Sequence, residues 1–238
     1  MQKKLNPIWL STYAHLFPPN IIRSVRDNVA KVLKDKRVKV YPDSVYKIFL
    51  LFKLTPIHSV NVVMIGYEPY PYSGYSTGLA FANPVGMPKY SPTLEAIKEC
   101  VYRDYYQENY FDMPFGDPYE YQFDYSLKSW ANQGVLLLNR NLTVEHYKPN
   151  SHAYIWKDFT IELVHSLSNY NPNLIFVLIG REAIELKEYI HVHNTNIIEC
   201  EHPMVAIRNA RPWGGNTFKS INNKLNNLNM EEIQWLRK

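Results

Sequence analysis

The sequence predicts one α/β domain: a central four-stranded parallel sheet with helices on both faces. Four short apolar runs, at residues 60–65, 134–138, 174–179 and 196–199, have the length of buried strands. Segments of helical periodicity separate them, which is the alternation that builds a parallel sheet with crossover helices. Length and composition agree. A chain of 238 residues with 46% hydrophobic and 20% charged side chains can bury one large core without staples.

Residues 1–20 mix Trp9, Tyr13 and Phe17 with Pro18 and Pro19, and read as an N-terminal arm packed on the body. Ile21, Ile22, Val25, Val29 and Val32 recur at helical spacing, so 20–34 is a helix. The basic cluster at 34–39 reads as its solvated end. After Tyr41-Pro42, Asp43 or Ser44 caps a helix over 45–54. Strand 60–65 runs into the stiff hexapeptide Gly66-Tyr67-Glu68-Pro69-Tyr70-Pro71, then a flexible loop at 72–78 and the run Leu79-Ala80-Phe81-Ala82. A proline-punctuated loop ends at Thr93, which opens a helix over 94–105. Residues 106–127 are aromatic, acidic and irregular, an excursion without a second core. Strand 134–138 ends at Asn139, and a loop through Asn150-Ser151-His152 leads to a helix over 154–168. Ile155, Phe159, Leu163 and Leu167 share one face of that helix. Strand 174–179 ends at Gly180, a short helix spans 181–190, and strand 196–199 ends near Glu201-His202-Pro203. The last helix, 217–228, turns Phe218, Ile221, Leu225 and Leu228 inward. With no internal repeat, a single domain spans 1–238.

A net charge of +4 is compatible with a polyanionic partner without demanding one. The 19 tyrosines supply faces on which bases can stack, although most belong to core or rim. Cys100 and Cys200 show no metal-ligand spacing and suit a reducing compartment. No apolar run reaches membrane-spanning length, and Met1-Gln2-Lys3-Lys4 is not followed by the apolar segment of a secretion signal. The expectation is a cytoplasmic or nuclear protein, neither secreted nor membrane-bound.

Parallel sheets bind ligands beyond the carboxyl ends of their strands. The residues leaving those ends are Glu68, Asn139, the Gly180-Arg181 pair and His202. An acid, an amide, a cation and an imidazole are thereby expected on one rim. An asparagine amide offers one acceptor and two donors, enough to read a planar edge such as that of a pyrimidine. Phe81 offers a stacking face. His202 can donate to an oxygen that gains charge as a bond breaks, and Glu68 can hold a water or face a developing cation. Each residue has a plainer reading: Glu68 in a turn facing water, Asn139 in a structural turn, Phe81 in the core, Arg181 as a surface charge, His202 bonded to backbone. Only their joint placement favours a site.

Along most of its length the chain resembles the family 1 uracil-DNA glycosylases. The family's Trp-Ala-x-Gln-Gly-Val-Leu-Leu-Leu-Asn stands unbroken at 130–139, and its Gly-Leu-Ala-Phe-Ser appears as Gly78-Leu79-Ala80-Phe81-Ala82. Leu142-Thr143-Val144, Asn150-Ser151-His152, His202-Pro203 and a closing Ile233-Gln234-Trp235 follow in the family's order. The resemblance implies an enzyme that flips a deoxyuridine out of DNA and hydrolyses its N-glycosidic bond. Uracil and an abasic site result, the first step of base excision repair, and no cofactor or metal is required. Phe81 is implied to stack on the base, Asn139 to read its edge, and Tyr70 to exclude thymine's methyl group. His202 is implied to stabilise the uracil anion, and the acid at 68 to orient water. Thr93, Ser151, Arg181, Met204, Ala206, Ile207 and Arg208 fall where the family contacts DNA.

The departures are as specific. The family's Gly-Gln-Asp-Pro-Tyr-His is Gly66-Tyr67-Glu68-Pro69-Tyr70-Pro71 here, with the last proline shared by the poxvirus branch. The acid is longer by about 1.5 Å, the Tyr67 ring lies near the pocket, and the family's wedge leucine becomes Ala206. These changes lead to an expectation of attenuated activity. They also raise an alternative: a glycosylase-fold DNA-binding protein with weak or lost catalysis, such as a viral replication or processivity component. The expected partners are uracil-containing DNA, single- or double-stranded, and a protein inhibitor or replication partner; the protein itself is expected to be a monomer.

Overall fold

The computed structural model describes residues 12–35, 37–106 and 122–237. In chain order its regular elements are α1 (Pro19–Lys34), β1 (Val40–Tyr41), α2 (Val45–Ile48), α3 (Leu50–Leu54), β2 (Val62–Gly66), α4 (Pro92–Tyr106), α5 (Lys128–Ala131), β3 (Val135–Asn139), β4 (Val144–Glu145), α6 (Ala153–Tyr170), β5 (Ile175–Ile179), α7 (Arg181–Ile184), β6 (Ile197–Cys200), α8 (Pro203–Arg208) and α9 (Thr217–Asn227).

The central sheet has the order β3-β2-β5-β6, and every pairing in it is parallel. Successive side chains of a strand point to opposite faces. All residues of β2, β3 and β5 are buried, so both faces of the sheet are covered, as the unbroken apolar runs require. Among the covering helices, α4 packs against α8 and α9, and α1 against α6. The chain leaves β2 toward β3 on one side and leaves β5 toward β6 on the other. That reversal opens a crevice beyond the carboxyl ends of the two central strands. The register sets Gly66 beside Asn139 and Ile179 beside Cys200. The loops carrying Glu68, Asn139, Arg181 and His202 therefore all leave the same end of the sheet.

The described part of the N-terminal arm packs on the body. Tyr13 donates its hydroxyl to Thr55 O at 2.6 Å, and the Phe17 ring stacks on Phe159 at 5.2 Å. Trp9, and 107–121 of the expected excursion, lie outside the described residues. Gln122 bridges to Arg237.

Several local expectations need correction. The helix over 45–54 is two helices, because Phe49 leaves helical geometry (φ −111°, ψ 13°) with its ring buried against Phe52 and Trp156. The helix after Gly180 stops at Ile184 and tightens into a 3₁₀ segment, Glu185–Tyr189. Thr93 does not open α4. Ser91 does: its hydroxyl accepts from Leu94 N at 3.2 Å, and Pro92 takes the first helical position. The two-stranded sheet of β1 and β4, and the short helices α5 and α8, were not expected at all.

Candidate active site

A cleft of about 790 Å³ opens at the carboxyl ends of the strands, lined by residues from the hexapeptide, Phe81, the 89–93 segment, Asn139, 146–147, His202 and Met204. Its floor is Gly66. A Cβ there would sit 2.7 Å from Phe81 Cζ and 3.2 Å from Asn139 Oδ1. The missing side chain is what lets the Phe81 ring and the Asn139 amide meet over the end of β2.

Phe81 is held in a left-handed conformation (φ 67°), an uncommon state for an aromatic residue. A relay of hydrogen bonds fixes it. Leu94 N–H donates to Ser91 Oγ, Ser91 donates to the Tyr70 hydroxyl at 2.8 Å, and Tyr70 donates to Phe81 O at 2.9 Å. On the preceding residue, Ala80 N–H donates to Leu137 O, tying the loop to β3 at 3.1 Å. Burial pushes the Tyr70 phenol well above its ordinary range, so it stays a donor. Neighbouring Asn83 is fully buried and accepts from Ser91 N at 2.8 Å, locking the loop onto the start of α4.

Asn139 is 6% exposed, yet its amide makes no hydrogen bond with any described residue. A nearly buried amide facing a cleft in this state has its full donor and acceptor capacity left for a ligand.

His202 is the N-cap of α8. Its Nδ1 accepts from Met204 N at 3.2 Å, so a neutral ring carries its proton on Nε2. Burial pulls the imidazole below its usual pKa and Arg208 adds to this, while Glu182 works the other way. Gly180, in a left-handed conformation (φ 91°), leaves room for the ring: a Cβ there would lie 3.3 Å from that of His202.

Glu68 lines the same cleft. Its Oε2 accepts from Asn150 N at 3.0 Å. Burial pushes the carboxyl above the ordinary glutamate range and the Glu182 charge adds to the effect, while the Asn150 amide opposes both. Asn141 Nδ2 is buried nearby without a hydrogen bond of good geometry, and its amide lends a weaker pull toward the ionised acid. Burial likewise raises the Tyr67 phenol, helped by Glu68 and Glu182.

Of the residues singled out in the sequence, Tyr67, Glu68, Tyr70, Phe81, Thr93, Asn139, His202 and Met204 share the cleft. Arg181 does not. Its side chain is 85% exposed and lies 3.3 Å from Glu182. The Ser151 hydroxyl accepts from Glu145 N at 2.8 Å, outside the cleft. Ala206 requires correction: it is completely buried on α8, which packs against α4, and presents nothing to a ligand. The exposed apolar side chains of that helix are Val205 and Ile207, with Arg208 exposed beside them. Ser91 and Asn83 were missed, although Ser-Pro ahead of a helical pattern is a readable capping signal.

An amide beside an aromatic face, a neutral imidazole donor and a half-buried carboxylate on one cleft can bind a flat polar ring. They can also stabilise an anion on it and place a water or offset a cation on the opposite side. The model of the Uracil DNA glycosylase superfamily matches residues 52–226. The uracil-DNA glycosylase of Blochmanniella floridana is 35% identical over 198 residues, 82% of this chain and 83% of the relative. That of Bacillus pumilus is 32% identical over 236 residues, 99% of this chain and 97% of its own. The crystal structure of mimivirus uracil-DNA glycosylase shares the fold, with a TM-score of 0.72 at 22% identity over 97% of this chain and 86% of that one. With the family model matched over residues 52–226 and a relative matched almost end to end, the chain belongs to the uracil-DNA glycosylase superfamily.

Proposed function

We propose that the protein hydrolyses the N-glycosidic bond of a deoxyuridine flipped out of DNA, releasing uracil and leaving an abasic site. The observation that carries this reading is the Asn139 amide, nearly buried and unbonded, beside the Phe81 ring. Uracil stacks on Phe81 and offers its polar edge to Asn139, while the Tyr70 ring occupies the space a thymine methyl would need. As the bond from C1′ to the base nitrogen breaks, the electron pair goes to the uracil ring. The Nε2–H of His202 donates to the oxygen that gains the charge. Glu68, ionised, offsets the positive charge on the sugar and orients the water whose oxygen bonds to C1′, its proton passing to the carboxylate. Met204 and the exposed Val205, Ile207 and Arg208 of α8 meet the DNA beside the vacated stack, with Thr93 and Arg181 toward phosphate.

A second reading rests on Glu68. A carboxyl whose pKa is raised by burial, and whose Oε2 is already taken up by the Asn150 N–H, fits a DNA-binding protein with weak or lost catalysis. One assay separates the two. The protein is incubated with single-stranded and duplex oligonucleotides bearing one uracil, and abasic sites are cleaved with alkali. Cleavage at the uracil is expected, and Glu68→Gln is expected to lower the rate by a factor on the order of 10²–10⁴ while uracil-DNA binding persists. No cleavage by excess folded protein overturns the first reading. Retained uracil-DNA binding in that case supports the second.

A further inference from the structure

The cleft does not end at the Phe81–Asn139 floor. It continues past Pro71 over Tyr72, His146 and Tyr147. A row of rings follows the same path. Tyr70 lies 6.1 Å from Tyr75, Tyr75 lies 6.3 Å from Tyr72, and Tyr72 lies 5.1 Å from Tyr147. His146 is 4.1 Å from Tyr147 and 5.6 Å from Tyr41. From Tyr70 to Tyr147 successive rings meet edge to face, at 62–74°. Tyr72 is 44% and Tyr147 66% exposed, and both line this outer part of the cleft.

The row ends beside the basic cluster at 34–39, which the glycosylase chemistry does not use. His146 N–H donates to Lys39 O at 2.8 Å, and Val40 pairs with Glu145 across β1 and β4. Lys34, Arg37 and Lys39 are all exposed there. Exposed aromatic rings near cations are the composition of a single-strand platform, on which bases stack and phosphates meet charge. Paired bases in a duplex keep their faces stacked within the helix and have none to offer.

We propose that Tyr72 and Tyr147 form a second DNA subsite that stacks unpaired bases next to the flipped nucleotide, with Lys34 and Lys39 taking the backbone. The proposal rests on the glycosylase reading for its neighbour, the flipped base. Its test does not need catalysis.

Fluorescence anisotropy with a uracil-free single-stranded oligonucleotide and its duplex reads the subsite directly. Tyr72→Ala and Tyr147→Ala are each expected to weaken single-strand binding about tenfold, in line with the loss of one stacked base. Tyr72→Phe and Tyr147→Phe, which keep the ring, are expected to retain affinity, and duplex affinity is expected to change little. Both positions are well exposed, and melting curves confirm that the variants fold. Alanine variants that bind single strands like the parent overturn the proposal. So do phenylalanine variants as weak as alanine, losses equal on duplex, or a parent chain with no single-strand affinity. Excision of uracil from duplex DNA in any of these cases leaves the glycosylase reading standing, whereas tyrosine-dependent single-strand binding without excision removes that reading alone.

Discussion

Gly66→Ala tests the geometry of the cleft floor with one methyl group. The backbone of Gly66 is not in the left-handed region, so alanine adds no conformational strain of its own. The effect is steric. The new Cβ stands 2.7 Å from Phe81 Cζ, 3.0 Å from Phe81 Cε1 and 3.2 Å from Asn139 Oδ1. Ordinary contact begins near 3.4 Å, so the ring must retreat by about 0.7 Å. It has little freedom to do so, because its carbonyl is bonded to Tyr70 and Ala80 is tied to β3. Overpacking of this kind costs about 1–3 kcal/mol. For a chain of this length each kcal/mol lowers Tm by about 2–4 °C. The catalytic cost is separate. If 1 Å of misplacement costs on the order of a hundredfold, 0.7 Å costs roughly thirtyfold in kcat/KM for uracil release. The assay is excision from a uracil oligonucleotide, normalised to folded protein. Activity near that of the parent, in a chain whose Tm has fallen as expected, would refute the assignment of the Phe81 face as the floor on which the base lies.

Ser91→Ala removes both the cap on α4 and the donor to Tyr70, so it is expected to cost about 1–2 kcal/mol and lower Tm accordingly; an unchanged melting curve speaks against the relay. His202 carries a pH signature. Its folded pKa lies below 6.5, so as pH falls through that value the unfolded chain takes up the proton first and stability drops, levelling off below the folded pKa. The Tm advantage of the parent over His202→Gln is therefore expected to shrink as pH falls through about 6.5, and a difference that grows on acidification contradicts a neutral, Nε2-protonated ring.

The parts of this molecule that were legible in its sequence are those whose signal is local and repeated. Val135 to Leu138 and Ile175 to Ile179 are apolar at every position, and only a strand covered on both faces uses such a run. The helix face of Ile155, Phe159, Leu163 and Leu167 is buried throughout, because a stripe of that length records its own period. Once the sheet was parallel, the rim of Glu68, Asn139 and His202 followed from the strand ends. What escaped had no period to read. α5 and α8 are shorter than two turns, and β1 and β4 are two residues each. The break at Phe49 comes from the ring's burial against Trp156, more than a hundred residues away in sequence. Ala206 was assigned by position in a motif, but which side of a six-residue helix faces α4 depends on packing that the motif does not contain.

The longer acid bears on the same distinction between motif and packing. Stem length alone predicts a misplaced carboxylate at position 68 and slow chemistry. In the structure the extra methylene is not free to wander. Glu68 Oε2 is bonded to Asn150 N at 3.0 Å, and Asn150 itself sits in a left-handed turn (φ 67°) that aims this amide at the cleft. An amide donor also favours the ionised acid, opposing the burial and the Glu182 charge that raise its pKa. One oxygen is thus fixed by backbone, which leaves the second as the group that meets water. The determinant is therefore the reach between the hexapeptide and the Asn150 turn. Glu68→Asp shortens that reach by about 1.5 Å and gives up the Asn150 bond, so no gain in excision rate is expected. A large gain in rate on that substitution would show instead that the bond to Asn150 holds the acid away from the reacting sugar.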